Sequence, residues 1–167
     1  LMGMILTLPI SSAALAISLG LSGLAAGAST VGCATQMIGF AIASYRENGI
    51  GGFLAQGLGT SMLQVPNIVK NWKIWVPAVV ASAITGPIST VVFKMENTPM
   101  GAGMGTSGLV GQFGAIDAME AAGKGGGMMY VAILLVHFVL PAIIGLVVYQ
   151  VMKKANLIKP EDLKLDI

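Results

Sequence analysis

From Asn97 to Ile116 the sequence carries no charge, yet this stretch cannot be an ordinary helix. Six glycines between Gly101 and Gly114 raise the backbone entropy cost of a helix, and Pro99 lacks an amide donor. The segment lies between two long apolar runs. Uncharged, irregular backbone in that setting is tolerated at membrane depth only where protein buries it or where it lines a watery cavity. The rest of the chain is therefore expected to be a scaffold that holds this segment in place.

Composition agrees. Only 10% of the 167 residues are charged, against about 25% in soluble domains, and the mean hydropathy is +0.84. The chain lacks the ten-residue apolar/polar alternation of a β-barrel. The class expected is an all-α polytopic membrane protein, with the lipid bilayer as its first partner. The net charge of +2 is small, and the basic residues border apolar runs, so they speak to orientation and give nucleic-acid binding no support. A single cysteine, Cys33, offers no disulfide framework and no metal signature, and no cofactor or catalytic motif is visible. Leu1 to Ser44 has no basic residue and so does not read as a signal peptide.

No charge precedes Arg46, and that length suits two spans, placed at Met4–Gly23 and Ala28–Tyr45. Phe53 to Asn67 is too polar for a span and too uncharged for a solvent loop, which suits a re-entrant or interfacial segment. Lys70, Trp72, Lys73 and Trp75 mark an interface. Ile74–Phe93 is a third span with a kink expected at Gly86-Pro87, and Met128–Met152 is a fourth. The expected architecture is thus about four spans plus two re-entrant glycine-rich segments. Residues 1–152 form the membrane domain and 153–167 a tail. The lysines of the tail place it in the cytoplasm of a multi-pass protein.

Gly57-Leu-Gly-Thr-Ser-Met-Leu-Gln64 resembles Gly103-Met-Gly-Thr-Ser-Gly-Leu-Val110, and each stretch precedes a span containing Val-Pro-Ala or Leu-Pro-Ala. In the topology above the two lie on opposite sides of the membrane. Inverted repeats with interrupted helices at matching positions point to a transporter's binding site, and chance similarity between glycine-rich membrane segments is the competing explanation.

Glu96, Asn97 and Thr98, followed by Gly103, Gly105, Thr106, Ser107 and Gln112, form a dense array of donors and acceptors suited to a polyhydroxylated solute. Thr60, Ser61 and Gln64 are their counterparts in the first stretch. Glu96 also reads as a carboxylate that caps the next segment or pairs with Lys94 at the interface, and Thr106 and Ser107 as hydroxyls that satisfy backbone. His137 lies mid-span, as a ligand contact, a proton relay or a neutral imidazole bonded to a neighbouring helix.

At Glu96-Asn-Thr-Pro-Met-Gly-Ala-Gly-Met-Gly-Thr-Ser-Gly108, with Gly111-Gln-Phe-Gly114 after it, the chain resembles the EIIC-like membrane proteins of the bacterial phosphotransferase system, nearest to the PfoR-type toxin regulators. The resemblance implies a permease component in the bacterial inner membrane that binds and translocates a sugar-like solute. It also implies a homodimer, with phosphorylation done by cytoplasmic partner subunits. By position Glu96 corresponds to the glutamate that contacts sugar hydroxyls in such permeases. The chain is about half the length the resemblance implies, so an N-terminal half is expected before Leu1. Two other functions fit the same residues: a non-transporting sensor signalling through the tail, and a proton-coupled carrier centred on His137.

Overall fold

The computed structural model describes residues 1–166; the last residue of the predicted tail, Ile167, lies outside the described residues. Among them, three helices are long and apolar enough to cross a membrane: Gly23–Ala43, Trp72–Val92 and Gly127–Lys154. The first, α3 (Gly23–Ala43), is the post around which the others pack. Its apolar window is 78% buried, against 33% for each of the other two, so it is the inner span and they are the outer ones. Its glycines let neighbours approach closely. A Cβ on Gly3 would lie 2.2 Å from the carbonyl oxygen of Gly32, and Ala78 and Gly145 both close on Gly39.

The segment expected as a first span, Met4–Gly23, is not one. It divides into α1 (Met2–Thr7) and α2 (Ser12–Ser18). Pro9 interrupts the helix, and Ser11 caps α2 by accepting from the Ala14 amide at 3.2 Å. α1 lies along the middle of α3, with Gly3 at Gly32 and Thr7 Oγ1 donating to Gln36 Oε1 at 3.4 Å. α2 turns back toward the start of α3, where Ala16 packs with Ala26. The count of four spans thus becomes three spans and one broken pair.

A first hairpin, residues 45–70, leaves the end of α3. It consists of α4 (Tyr45–Leu54), a π-helical turn Ala55–Gly59, a 3-10 turn Ser61–Gln64 and α5 (Val65–Lys70). Gln56 Nε2 donates to Ser44 Oγ at 2.8 Å, and Gly57 packs on Ala41 and Ile38, so the hairpin rises beside α3 from its C-terminal end. α6 (Val76–Pro87) then runs into a π-helical turn, Ile88–Val92. The kink expected at Gly86-Pro87 is this widened turn.

A second hairpin, residues 97–121, comes from the opposite end. Asn97 N donates to Gly23 O at 3.2 Å, at the first residue of α3. α7 (Pro99–Met104) descends, a 3-10 turn Ser107–Leu109 reverses the chain, and α8 (Val110–Ala121) returns. α9 (Gly127–Leu134), a π-helical turn Leu135–Val139 and α10 (Leu140–Lys154) complete the last span.

The tail does not trail free. Ile158 and Leu163 are buried in a cluster with Phe40, Ile74 and Tyr149. Asn48 Nδ2 and Gln64 Nε2 donate to Leu163 O at 2.8 and 3.0 Å, and Asn67 Nδ2 to Lys164 O at 2.8 Å. Leu165 N donates to Asn48 Oδ1 at 2.8 Å. Residues 157–165 are a strap bound across the base of the first hairpin.

Candidate functional site

The two hairpins meet at their tips. Thr106 Oγ1 donates to Gly57 O at 2.5 Å and lies 3.4 Å from Met37 Sδ, two-thirds of the way along α3. These residues belong to the two Gly-x-Gly-Thr-Ser stretches. Two similar segments, entering from opposite ends of the central span, thus touch in the interior.

Local chemistry explains how irregular backbone is held there. Gly105 has φ +55 and ψ −125, a conformation open in practice to glycine alone. A Cβ there would also lie 2.6 Å from Ala34 N, so the tip of the second hairpin rests directly on the backbone of α3. Gly108 and Leu109 both adopt left-handed conformations and turn the chain. The last carbonyls of α7 have no helical partners, and serines from two other helices supply them. Ser12 Oγ donates to Gly103 O and Ser29 Oγ to Ala102 O, each at 2.6 Å.

A third helix break, between α1 and α2, comes to the same place. Together the three breaks line a cleft of about 180 Å³, whose polar walls are Ser11, Ser12, Thr60 and Ser107 with backbone at Gly59 and Gly103. No charged side chain lines it. Ile10 and Met62 border the cleft and are exposed, as is Leu58 next to Gly59 in its wall.

The sequence-predicted residues divide among the tips, the base of the first hairpin, the mouth of the second and one buried locality beyond them. Gly103, Gly105, Thr106, Ser107 and Thr60 gather at the tips. Ser61 lies just behind them, its Oγ 2.9 Å from Thr7 Oγ1. Gln64 lies toward the base of the first hairpin, donating to Gln56 Oε1 at 2.8 Å and to the strap.

Glu96, Asn97 and Thr98 lie at the mouth of the second hairpin, away from the tips. Glu96 forms an ion pair with Lys124, both partly exposed; its partner is not Lys94. Asn97 Nδ2 bridges the two limbs by donating to Gly111 O at 2.8 Å, and Thr98 caps α7 by accepting from Gly101 N at 3.2 Å. Gln112 and His137 form a third, buried locality: Gln112 Nε2 and His137 Nδ1 are 2.8 Å apart. That bond ties the returning limb to the π-helical turn of the last span. His137 Nε2 and Gln112 Oε1 have no partner among the described residues, so one donor and one acceptor stay unspent in the interior.

Sequence reasoning missed Ser11 and Ser12. Leu8-Pro-Ile-Ser-Ser12 was the available signal: a proline followed by two capping residues inside an apolar run. Among the described residues no three His, Cys, Asp or Glu side chains converge as a metal site would require, and Cys33 is packed, its Sγ 3.5 Å from Ala102 O.

Compared with known families, residues 1–165 match the model described as Phosphotransferase system, EIIC. Comparison with curated proteins and with solved structures gives no match.

Proposed function

This chain belongs to the EIIC family of the phosphotransferase system, as a membrane component of sugar transport, and on that premise we propose that a small neutral polyhydroxylated solute binds where the two hairpin tips meet. The single observation that carries this reading is the tip-to-tip contact of Thr106 with Gly57. The site offers hydroxyls and backbone groups and no charge, which suits a sugar better than an anion. At about 180 Å³ the cleft is smaller than the ~300–1,000 Å³ of an open ligand pocket, consistent with a closed state pinched by the tip bond. Movement of one hairpin relative to the other would open it toward either side, and phosphorylation would fall to cytoplasmic partner subunits.

Irregular backbone is not left facing lipid. The face bearing Ile10, Leu58 and Met62 is therefore turned to a watery path or to another protein surface, which a second copy of the chain would supply in a homodimer. Seven of the nine Lys and Arg residues (Arg46, Lys70, Lys73, Lys153, Lys154, Lys159, Lys164) lie at one end with the strap. That asymmetry supports the proposal that this end, C-terminus included, faces the cytoplasm of a bacterial inner-membrane protein.

The test is a thermal-shift screen of sugars and sugar phosphates on the detergent-solubilised protein, repeated on a Thr60→Val, Ser107→Ala double variant. Two lost hydrogen bonds predict about a tenfold weaker affinity for the stabilising sugar. A ligand bound equally well by the variant would remove the tips from the site. One contact set favours a second reading, a sensor: the strap on the first hairpin gives a bound solute a route to the C-terminus. Binding without flux in liposomes would select the sensor over the permease.

A further inference from the structure

At the basic end of the molecule α3 and α10 finish side by side, and a cavity of about 620 Å³ lies between their ends. Arg46, Lys153 and Lys154 border it, over walls that include Tyr149, Ile42 and Leu146. Among the described residues no carboxylate lies within ion-pair distance of these three cations. The adjacent acid, Glu47, is committed elsewhere: its oxygens accept from Glu161 N at 3.3 Å and Leu163 N at 3.1 Å, in the strap. Lys153 Nζ stands 5.6 Å from the centroid of the Tyr149 ring and 3.4 Å from its hydroxyl, which holds the ammonium against the wall.

Three unneutralised cations around one cavity suit a phosphate group. The apolar walls distinguish which kind. Ile143 and Val147, each 55% exposed, share a face of α10 with Gln150 and Lys154, at the spacing i, i+4, i+7 and i+11. This track leads from the cations back along the membrane-spanning part of the helix. A soluble phosphate would leave it unused, whereas a lipid chain would cover it. We propose that the cavity binds the phosphate of an anionic phospholipid, with one acyl chain lying along Val147 and Ile143. The site is separate from the cleft at the hairpin tips and sits against the base of the strapped hairpin.

The test is native mass spectrometry of the full chain released from detergent, offered phosphatidylglycerol, phosphatidylcholine or glycerol phosphate in turn. Phosphatidylglycerol is expected to be retained in preference to phosphatidylcholine. Replacing Arg46, Lys153 and Lys154 by Gln is expected to weaken retention roughly fivefold per charge, on the order of a hundredfold in all. A Lys70→Gln, Lys73→Gln variant, which removes two cations at the same end outside the cavity, is expected to retain the lipid. Should the triple variant fold poorly, Lys154→Gln alone, at an exposed position, is expected to show the fivefold loss. Equal retention of phosphatidylcholine, or retention untouched by these substitutions, would overturn the proposal. So would equal loss in the Lys70, Lys73 control, or glycerol phosphate binding as tightly as the lipid.

Discussion

Replacing Thr106 by Val removes one hydroxyl at nearly constant volume and so isolates the bond between the hairpins. In the folded chain that hydroxyl donates to Gly57 O at 2.5 Å, in the last residues of the π-helical turn, where helix carbonyls run out of amide partners. Thr106 is fully buried, so water does not replace the lost donor. An average hydrogen bond between membrane helices contributes only about 0.6 kcal/mol, because the unfolded chain in the membrane finds other partners. Leaving a buried carbonyl unsatisfied costs more, about 1–3 kcal/mol. The second figure governs here, since Met62 N, the amide five residues on, is spent on Thr60 Oγ1 and leaves Thr106 to supply Gly57 O. A loss of about 2 kcal/mol corresponds to a fall of roughly 4–8 °C in Tm for a chain of this size. Thr106→Ser keeps the donor and is expected to recover most of that fall. Thermal unfolding in detergent, followed by size-exclusion chromatography, reads both variants. A valine variant as stable as the parent, or a serine variant as weak as the valine one, would refute the tip-to-tip bond.

Gly105→Ala forces a side chain into a glycine-only conformation and against Ala34 N, and is expected to cost about 3–5 kcal/mol and abolish folded yield, whereas Gly108→Ala, whose Cβ would meet only Val110 Cγ2 at 3.9 Å, is expected to cost about 1 kcal/mol. Similar melting of the two would show that the tip does not rest on α3. Glu96→Gln breaks a partly exposed ion pair and is expected to cost under about 1 kcal/mol while sugar affinity changes less than twofold; a tenfold weaker affinity would move the binding site to the mouth of the second hairpin. His137→Gln is expected to leave the pH dependence of solute uptake unchanged, since the imidazole meets an amide and no carboxylate; pH-dependent uptake lost in this variant would establish the proton-coupled carrier instead. Truncation after Asn156 strips the partners from Asn48, Gln64 and Asn67, and is expected to lower Tm by several degrees and speed proteolysis at the first hairpin. An unaltered digestion pattern would show the strap to be dispensable.

Much of this fold was readable because the membrane punishes irregular backbone. Stretches rich in glycine and free of charge, 53–67 and 97–116, had few other places to go, and both are hairpins. The first span was misjudged because the length of an uncharged run says nothing about where it breaks; Pro9 and Ser11 carried that information locally. The partner of Glu96 was not legible, since Lys124 stands 28 positions away and only the hairpin's closure brings the two together. The strap was hidden for a related reason. Its signals, Ile158, Leu163 and Leu165 within a charged tail, Asn48, Gln64 and Asn67 in the first hairpin and Asn71 just after it, become meaningful only once paired.

The hydroxyls of this chain divide by where their hydrogen goes, and the division separates scaffold from the proposed site. Ser12, Ser29, Thr30, Thr35, Thr85 and Thr106 can all donate to backbone carbonyls, many of them at helix ends or within their own turns. In a medium without water such groups stabilise backbone first. The cleft is different. Ser11 and Thr60 only accept, from Ala14 N and Met62 N, so each retains a hydrogen to donate; Ser107 lines the same walls without capping its helix. Three breaks in three helices therefore bring uncommitted donors to one uncharged hollow, while Ser12, Ser29 and Thr106 are occupied in holding the hairpin tips in place. A polyhydroxylated guest needs donors that the scaffold has not already used, and unlike the buried Gln112–His137 pair these lie in an open cleft, which is why the proposed site is put here.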